Sequence, residues 1–460
     1  MVLSAALVAA VVCSQVATNC VLDLTTTTVR GSATLQSKID AAWRAGGGRV
    51  VVPSGIHRIG GLRLRSNVEL HLASNAVLSA SRNCDDYDVL ANDALEPIAP
   101  DLLAEARSFK LHVRDRMKPW AGASNPAIRW NNGILRLVGA TNVVISGEAG
   151  SVIDGNNSYD PEGEEHYRGV HGISAFYSSN VVVRGVELRH TGNWATRFEH
   201  CADLMFADLS IRGGHDGVHV RGCDQVKILR CDIRCGDDAI AGFDNKDVTV
   251  EDCSLNTACS AFRFGGTHVR VRRCRIWGPA EWPFRCGLTV EEKRAGVSSQ
   301  GRGRPNMLSF WTYFADFSQP IRNPPGDIVI SDCTVENADR FLHYNFSGNE
   351  TWQKGSPLGD IRFERVRASG IGMSLCAYAS EKRPLALELK DCEIAFAKPQ
   401  SEFVRAAFVD SVRLEGVVVR GVEGPCVRTW SGVPKIEARD LKGIRPEVVT
   451  STDKFSTESI

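Results

Sequence analysis

A unit of about 22 residues recurs along the middle of the chain, and no other feature limits the possible folds so strongly. Each unit holds a stretch in which apolar residues stand at every second position, such as VVVRGV, LMFADL and VKILRC. One polar residue precedes each stretch, and the steps between these residues are 23, 22, 22 and 21 positions: Asn180, Asp203, Gln225, Asp247 and His268. A unit this short cannot bury its own apolar face, so successive units must stack on one another.

Three short strands fill a unit of this length, which predicts an all-β fold: a single-stranded right-handed parallel β-helix. A leucine-rich repeat would need an asparagine ladder with leucines, and a propeller would need blades of about 40 residues. The sequence has neither. Weaker copies of the unit follow at DIVISDCTV, DIRFERVRA, LALELKDCEI and SVRLEGVVV. We therefore expect a β-helix domain over residues 26–445 and a C-terminal tail over 446–460.

The residues before the first strand predict a cap for the β-helix. Leu35 to Ala45 form an amphipathic helix pattern with Ile39, Ala42 and Trp43 on one face. A helix over the first coil would shield its open strand edge. Two long stretches interrupt the repeat, at 83–130 and 277–326. Such loops either form the walls of a binding groove or only cover the core.

The first residues leave the localisation of the protein open. MVLSAALVAAVV resembles the apolar part of a signal peptide, but no Lys or Arg precedes it. A signal peptide over 1–20 competes with a buried first strand or a start codon set too early. Sequons at Asn156, Asn345 and Asn349 agree with export, so we expect a secreted or periplasmic protein. No run of about 18 apolar residues indicates a membrane span.

Fifteen cysteines would fit a disulfide framework, but their positions indicate otherwise. Five of them end alternating stretches at matching places in the repeat: Cys231, Cys253, Cys274, Cys333 and Cys392. Cys201 and Cys223 form a second series that precedes successive strands. Such spacing predicts reduced thiols buried in a ladder. No CxxC pair has zinc spacing, and we expect neither a metal nor another cofactor.

Charge excludes one class of partner. The chain has 54 basic and 54 acidic side chains, so bulk charge gives it no affinity for polyanions. It contains no basic tract or motif typical of nucleic-acid binding. We expect a monomer that binds neither nucleic acid nor membrane.

Three acids occupy equivalent turns of the repeat: Asp216 in GGHDG, and Asp237 with Asp238 in CGDDAI. Asp216 and Asp237 are 21 residues apart, so one coil should bring them to about 4.8 Å. Carboxylates this close cannot all ionise freely, and one should keep its proton. A protonated acid beside an ionised carboxylate is what glycosidic cleavage requires. The alternative is that Asp and Gly only mark turns.

Other side chains could line the same groove. His215 adjoins Asp216; in a strand it would point away from the acid, and in a turn it could face the groove. Trp194 and His200 lie one coil earlier, where packing is an equally good explanation.

Several segments resemble the polygalacturonase family (glycoside hydrolase family 28) over most of residues 35–400. They are GGGRVVVPSG, GSVIDGNN, NWATRFEHCADL, GGHDG and CGDDAIAG. The resemblance implies that Asp237 is the general acid. It also implies that Asp216 and Asp238 activate the attacking water, with inversion at the anomeric carbon.

The chain also departs from that family. Cys259 and Ser260 stand near the place of its histidine, and Phe284-Arg285-Cys286-Gly287 corresponds to its Arg-Ile-Lys clamp. Gly214 and His215 replace an asparagine and a threonine. With less positive charge near the acids, a uronate would bind less well. Three arginines could restore that charge as substrate-binding residues: Arg197, Arg263 and Arg285.

Three functions fit these residues. The first is an inverting glycoside hydrolase acting on a pectin-like or related polysaccharide or oligosaccharide. The second is a polysaccharide lyase or epimerase on the same fold, which would need a basic residue and often calcium; we expect no basic residue to partner the acids. The third is a non-catalytic glycan-binding β-helix.

Overall fold

The structure is a computed structural model that describes residues 31–83, 86–87, 133–158, 169–282, 284, 306–316, 321–347, 353–354 and 356–453. The predicted signal peptide, Arg285 and most of the first predicted loop lie outside these residues. The prediction of one loop over 277–326 is wrong in part, because Met307–Tyr313 form a strand that pairs in parallel with Ser260–Arg272 and Ala338–Asn345. The chain divides into two units, Met1–Arg212 with Val290–Gly296, and Gly213–Thr289 with Val297–Ile460. The helix found in the described residues is too short to cross a membrane.

The first unit contains a helix, Gly31–Arg44, followed by short strands. The strands are β1 (Gly48–Val52), β2 (Gly55–Ile59), β3 (Leu62–Arg63), β4 (Val68–Leu72), β5 (Ala76–Ala80), β6 (Gly133–Val138), β7 (Thr141–Gly147), β8 (Val152–Asp154), β9 (His171–Phe176), β10 (Ser179–Arg184), β11 (Glu187–Arg189), β12 (Thr196–Glu199), β13 (Ala202–Ala207) and β14 (Ser210–Gly213), whose last residue falls in the second unit.

The second unit continues with strands of similar length. They are β15 (Val218–Arg221), β16 (Asp224–Leu229), β17 (Asp232–Cys235), β18 (Ile240–Glu251), β19 (Ser254–Thr257), β20 (Ser260–Arg272), β21 (Arg275–Trp277), β22 (Met307–Tyr313), β23 (Ala315–Asp316), β24 (Gly326–Ser331), β25 (Thr334–Glu336), β26 (Ala338–Asn345), β27 (Gln353–Lys354), β28 (Asp360–Glu364), β29 (Arg367–Ile371), β30 (Leu375–Tyr378), β31 (Leu385–Lys390), β32 (Glu393–Gln400), β33 (Val404–Ala407), β34 (Val409–Glu415), β35 (Val418–Val422), β36 (Pro425–Thr429), β37 (Lys435–Arg439) and β38 (Arg445–Thr450). The last strand lies in the segment that the sequence assigned to the tail.

The predicted parallel β-helix is confirmed, and one coil shows how it is built. β16, β17 and the first part of β18 follow one another in one coil. In the next coil, β16 pairs in parallel with the later part of β18, β17 pairs with β19, and the first part of β18 pairs with the first part of β20. In β16 the side chains of Val226 and Ile228 are buried, whereas Lys227 is exposed. This alternation puts every second residue into a core shared by all the coils of the unit. The predicted strand period is therefore confirmed.

The N-terminal helix covers the first coil, as predicted, and begins four residues earlier than its apolar pattern. It buries Leu35, Ile39 and Ala42 against β1 to β4. Trp43 was expected on the same face, but it is 37% exposed. The Arg65 guanidinium lies 4.9 Å from its ring centroid, so the indole is covered by a cation rather than by the core.

The repeated polar residue before each strand has a conformational reason. Asn180, Gln225 and Asp247 have φ values of 51°, 56° and 54°, which is the left-handed region. Asn and Asp enter this region more readily than most residues, because their short polar side chains bond locally to the backbone. The chain therefore turns at the same place in each coil, and the strands stay in register.

The predicted thiol ladder is confirmed within the described residues. Each of its five cysteines follows a residue with φ between 51° and 56°: Arg230, Asp252, Arg273, Asp332 and Asp391. Each thiol donates to the carbonyl oxygen two residues before it, at 3.1 to 3.4 Å. The cysteine is thus a small apolar side chain whose S–H satisfies a buried carbonyl at the corner. Burial raises the pKa of Cys392 to about 11.

Asp154, in the GSVIDGNN segment, holds two coils of the first unit together. Its carboxylate accepts from Arg189 Nε at 2.8 Å and from the backbone N–H of Asn156 at 2.8 Å. Burial alone would raise the pKa of Asp154, but His190, Asn156 and Arg189 together lower it to about 2. Because this value is below the unfolded one, Asp154 stabilises the fold above about pH 4, and that stability is lost as the pH falls through about 2.

We predict that the ladder thiols of the native protein react very slowly with a thiol reagent. Cys231, Cys253 and Cys274 are at most 2% exposed, so the reagent reaches them only after local opening. The half-buried Cys259 is the internal control and should be labelled before these three. Peptide mass spectrometry after timed labelling measures each site. Fast labelling of the three ladder thiols, or a disulfide between any two, would contradict the ladder.

Candidate active site

The candidate acids lie in two successive turns of the second unit. Residues 214–217 connect β14 to β15, and residues 236–239 connect β17 to β18. Val218 pairs with Ile240, and Ile240 pairs with Phe262. The N–H of Gly217 donates to the carbonyl oxygen of Asp238 at 3.0 Å. Asp216, Asp238 and Ser260 therefore form one column across three coils.

This register differs from the one expected from sequence spacing. Asp216 was expected to lie beside Asp237, but it aligns with Asp238, and Asp237 aligns with His215. The coils approach so closely here that a Cβ at position 217 would lie 2.5 Å from the Ala239 carbonyl oxygen. Only glycine fits this position, which explains the Asp-Gly pair of the first turn.

The register still gathers all three acids. Asp216, Asp237 and Asp238 each offer a carboxylate oxygen, and these oxygens lie within 4.8 Å of one another. Asp216 and Asp238 are buried, whereas Asp237 is half-buried. Two buried carboxylates so close together repel each other, so their charges need compensating donors.

His219 supplies one of these donors to Asp216. Its Nδ1 lies 2.8 Å from Asp216 Oδ2, and both side chains are at most 3% exposed. Since an ionised carboxylate only accepts hydrogen bonds, Nδ1 carries the hydrogen. The N–H of Asp238 lies 3.3 Å from Asp216 Oδ1. These contacts fix the orientation of the carboxylate.

Arg263 and a backbone N–H do the same for Asp238. Arg263 Nε donates to Asp238 Oδ2 at 2.8 Å, with side-chain exposures of 7% and 10%. The N–H of Ser260 donates to Oδ1 at 3.1 Å. The Arg263 guanidinium also lies 5.1 Å from the ring centroid of Phe314. The Asp238 carboxylate is thus held by a buried guanidinium and a backbone N–H.

Asp237 is held mainly by its backbone. Its carbonyl oxygen accepts from the Thr257 hydroxyl and from the Cys235 thiol, the latter at 3.3 Å. Its carboxylate accepts from the N–H of Asp238 at 3.1 Å. Burial and the three nearby acids raise the pKa of Cys235, so this thiol stays protonated and acts as a donor.

The remaining predicted site residues have varied surroundings. His215 is 3% exposed and lies in the bend before Asp216. In the first unit, Arg197 is buried and donates from Nε to Glu199 at 2.6 Å. Trp194, in the same unit, has its ring centroid 5.3 Å from that of His171. Arg285 lies outside the described residues.

Sequence reasoning missed the two basic partners of the acids. It expected no basic residue beside them, which is wrong, since His219 and Arg263 contact Asp216 and Asp238. A His three residues after the Asp, at the start of a strand, was a usable signal for the first. Arg263 was expected to bind substrate. Its ion pair with Asp238 depends on the alignment of β18 with β20, which the spacing of the repeat in the sequence did not determine.

Comparison with known proteins supports the fold. A family model for a right handed beta helix region matches residues 131–301. A hyperthermoactive exopolygalacturonase from Thermotoga maritima is similar in structure, with 15% identity, a TM-score of 0.60, and coverage of 85% of this chain and 88% of that one. A family 28 exopolygalacturonase from Yersinia enterocolitica has 11% identity and a TM-score of 0.57, covering 90% of this chain and 75% of that one. No curated protein matches.

These likenesses define the class of fold. The handedness predicted from the repeat is confirmed, and the chain is a right-handed parallel β-helix with an N-terminal capping helix. At such identities the likeness concerns the fold, because one fold hosts many activities.

We predict that Arg263→Met destabilises the protein at pH 7 by about 3 kcal/mol, because it leaves the Asp238 charge buried without its cation. Urea unfolding of the wild-type and variant proteins at pH 7 measures the effect.

The matched control adds Asp238→Asn to the Arg263→Met protein. It should recover part of the lost stability at pH 7, since no charge is then left unpaired. An equal loss of stability in the single and double variants would mean that Arg263 acts only through packing.

Proposed function

We propose that the protein is a glycoside hydrolase of the polygalacturonase type, which cleaves glycosidic bonds of a pectin-like or related polysaccharide with inversion. One observation carries the proposal: three carboxylates lie within 4.8 Å, and the two buried ones are each held by a cationic side chain or an imidazole N–H. The proposal includes export, predicted from residues 1–20, because such polysaccharides occur outside cells.

The surroundings of the acids divide their roles. Asp216 accepts a hydrogen bond from His219, and Asp238 accepts one from Arg263. We assign to these two carboxylates the role of the ionised pair. Two ionised carboxylates can orient a water and take its proton as it attacks the anomeric carbon. Asp237 is the half-buried acid and can reach a substrate from solvent. With two anionic neighbours, it is the carboxyl expected to hold the proton that the leaving oxygen requires.

The proposal also includes the stereochemistry of the reaction at the anomeric carbon. A pair of carboxyl groups about 5 Å apart is typical of retaining enzymes, whereas inverting enzymes need a wider gap for water. The site has three acids rather than two. Asp216 and Asp238 form a column to one side of Asp237, so the water can be held by this column while Asp237 protonates the leaving group. We therefore favour inversion.

We predict that Asp237→Asn lowers turnover by about two orders of magnitude or more, with little change in stability, because it removes the transferable proton from a half-buried position. Release of reducing sugar from a polysaccharide panel measures activity, and urea unfolding measures stability. Asp247→Asn is the matched control, since Asp247 lies on β18 and is exposed. An Asp237→Asn enzyme with unchanged turnover would end the hydrolase assignment.

The same contacts limit the substrate. Arg263 is paired with Asp238, and Arg197 is paired with Glu199, so a uronate at either arginine would compete with an acid of the protein. Ser260 stands where the resembling family has a histidine. A carboxylate left without its partner costs about 1–3 kcal/mol, or roughly tenfold to a hundredfold in binding. The sugar at the cleaved bond is therefore neutral or differently branched.

We predict that unmodified polygalacturonate is cleaved more slowly than a neutral or mixed polysaccharide, by about tenfold or more. Initial rates on polygalacturonate, rhamnogalacturonan and neutral polysaccharides, at low and moderate salt, measure this. A chelator arm is included, and hydrolysis should not depend on it. Fastest cleavage of polygalacturonate, slowing as salt rises, would show that the arginines bind the uronate after all.

A further inference from the structure

A second group of charged side chains lies in the second unit, away from the acids. We call it the basic cluster and define it by Arg340, Cys376, Glu402, Arg405 and Arg428. Three of its residues, Cys376, Arg405 and Arg428, belong to a row of strand residues that starts at Arg263. The register runs through Thr312, His343, Cys376, Arg405 and Arg428. Four strand spacings separate Arg263 from Arg405, which is roughly 19 Å.

The basic cluster has more positive than negative charge. Glu402 is 6% exposed, and it faces two guanidiniums. Arg428 Nε lies 2.9 Å from Glu402 Oε2, and Arg405 Nε lies 3.6 Å from Oε1. Arg340, 3% exposed, donates from Nη1 to the Cys376 sulfur at 2.7 Å. Within the cluster, three guanidiniums therefore accompany one carboxylate.

Three titratable neighbours of the basic cluster in the described part of the chain add no negative charge to it. Burial and the charge of Arg340 lower the pKa of His343 to about 3, so the imidazole is neutral at pH 7. Burial raises the pKa of Cys376 and raises that of Tyr378 to about 12, so neither is an anion. Buried positive charge in excess is costly unless an anion compensates for it.

The basic cluster opens to solvent beside an aromatic ring. The side chains of Arg405 and Arg428 are 23% and 31% exposed. The Arg405 guanidinium lies 5.0 Å from the ring centroid of Trp430, and Tyr378 packs edge-on against the same ring at 6.4 Å. Trp430 is half-buried. A planar cation next to a partly exposed indole offers charge and an apolar face together, which suits an acidic sugar.

We propose that the basic cluster binds an anionic substituent of a glycan, a carboxylate or a sulfate ester on a sugar ring. Arg405 and Arg428 contact the anion, and the buried Arg340 adds its positive charge. Trp430 packs against the sugar ring. That the ligand is a sugar rests on the proposed function. Together the two sites describe a glycan that is neutral at the cleaved bond and acidic roughly 19 Å further along the β-helix.

The test measures binding by calorimetry to the full-length Asp237→Asn protein, so that no ligand is consumed. The ligands are a galacturonate trisaccharide, a sulfated galactose trisaccharide and the neutral galactose trisaccharide. Arg405→Gln and Arg428→Gln are compared with Arg413→Gln, which also removes an arginine paired with a glutamate at 2.9 Å but lies outside the basic cluster. Circular dichroism confirms that each variant is folded.

We expect the acidic trisaccharide to bind more tightly than the neutral one, and more weakly as salt rises. Arg405→Gln and Arg428→Gln should each weaken acidic binding by about tenfold or more, with no effect on the neutral sugar, and Arg413→Gln should change neither. The stronger of the two acidic ligands identifies carboxylate or sulfate.

Two results would overturn the proposal. One is equal affinity of the acidic and neutral trisaccharides. The other is unchanged acidic binding in both cluster variants. The two proposals fail separately: a protein that cleaves a neutral glycan but shows either result lacks the anion site, and one that binds acidic sugars through these arginines but cleaves no glycan is not the proposed hydrolase.

Discussion

The parallel register between successive coils is the constraint on which the rest of the structure depends. A strand of four to six residues has no stability alone, and here each strand gains its hydrogen bonds and its core neighbours from the coils before and after it. Left-handed residues such as Gln225 and Asp247 fix where each coil turns. Because the turn recurs at the same place, residues one coil apart become neighbours, and short polar motifs can form columns.

The acid site is unfavourable for the stability of the fold, and contacts within and between the coils compensate for it. Asp216 and Asp238 are buried close together, which would be unfavourable without compensation. His219 lies on β15, three residues after Asp216, and contacts that acid locally. The register between β18 and β20 brings Arg263, one coil further on, to Asp238. The backbone N–H groups of Asp238 and Ser260 add donors in the same column. Because these donors belong to paired strands and to the turns between them, the carboxylates are held in fixed positions before a substrate binds.

Much of this was predictable from the sequence, and what was missed has a physical reason. The repeat gave the coils, the thiol ladder and the three acids, since each depends only on a period near 22 residues. The period varies by one residue between coils, so spacing could not decide whether Asp216 aligns with Asp237 or Asp238. Arg263 could not be assigned to Asp238 until this alignment was known, because side chains alternate in direction along a strand. His219, three residues after Asp216, had a local signal that was overlooked. The exposure of Trp43 was missed because the helical pattern does not show that Arg65 covers its ring.

The central claim is that Asp237 protonates the leaving oxygen while Asp216 and Asp238 direct a water to the opposite face of the sugar. Proton NMR of the first product released from a cleavable glycan tests it most directly, because the new anomer is visible before mutarotation. The account predicts inversion of the anomeric configuration, with the signal absent in the Asp237→Asn protein. A first product of retained configuration would contradict it, because one of the acids would then have attacked the sugar itself.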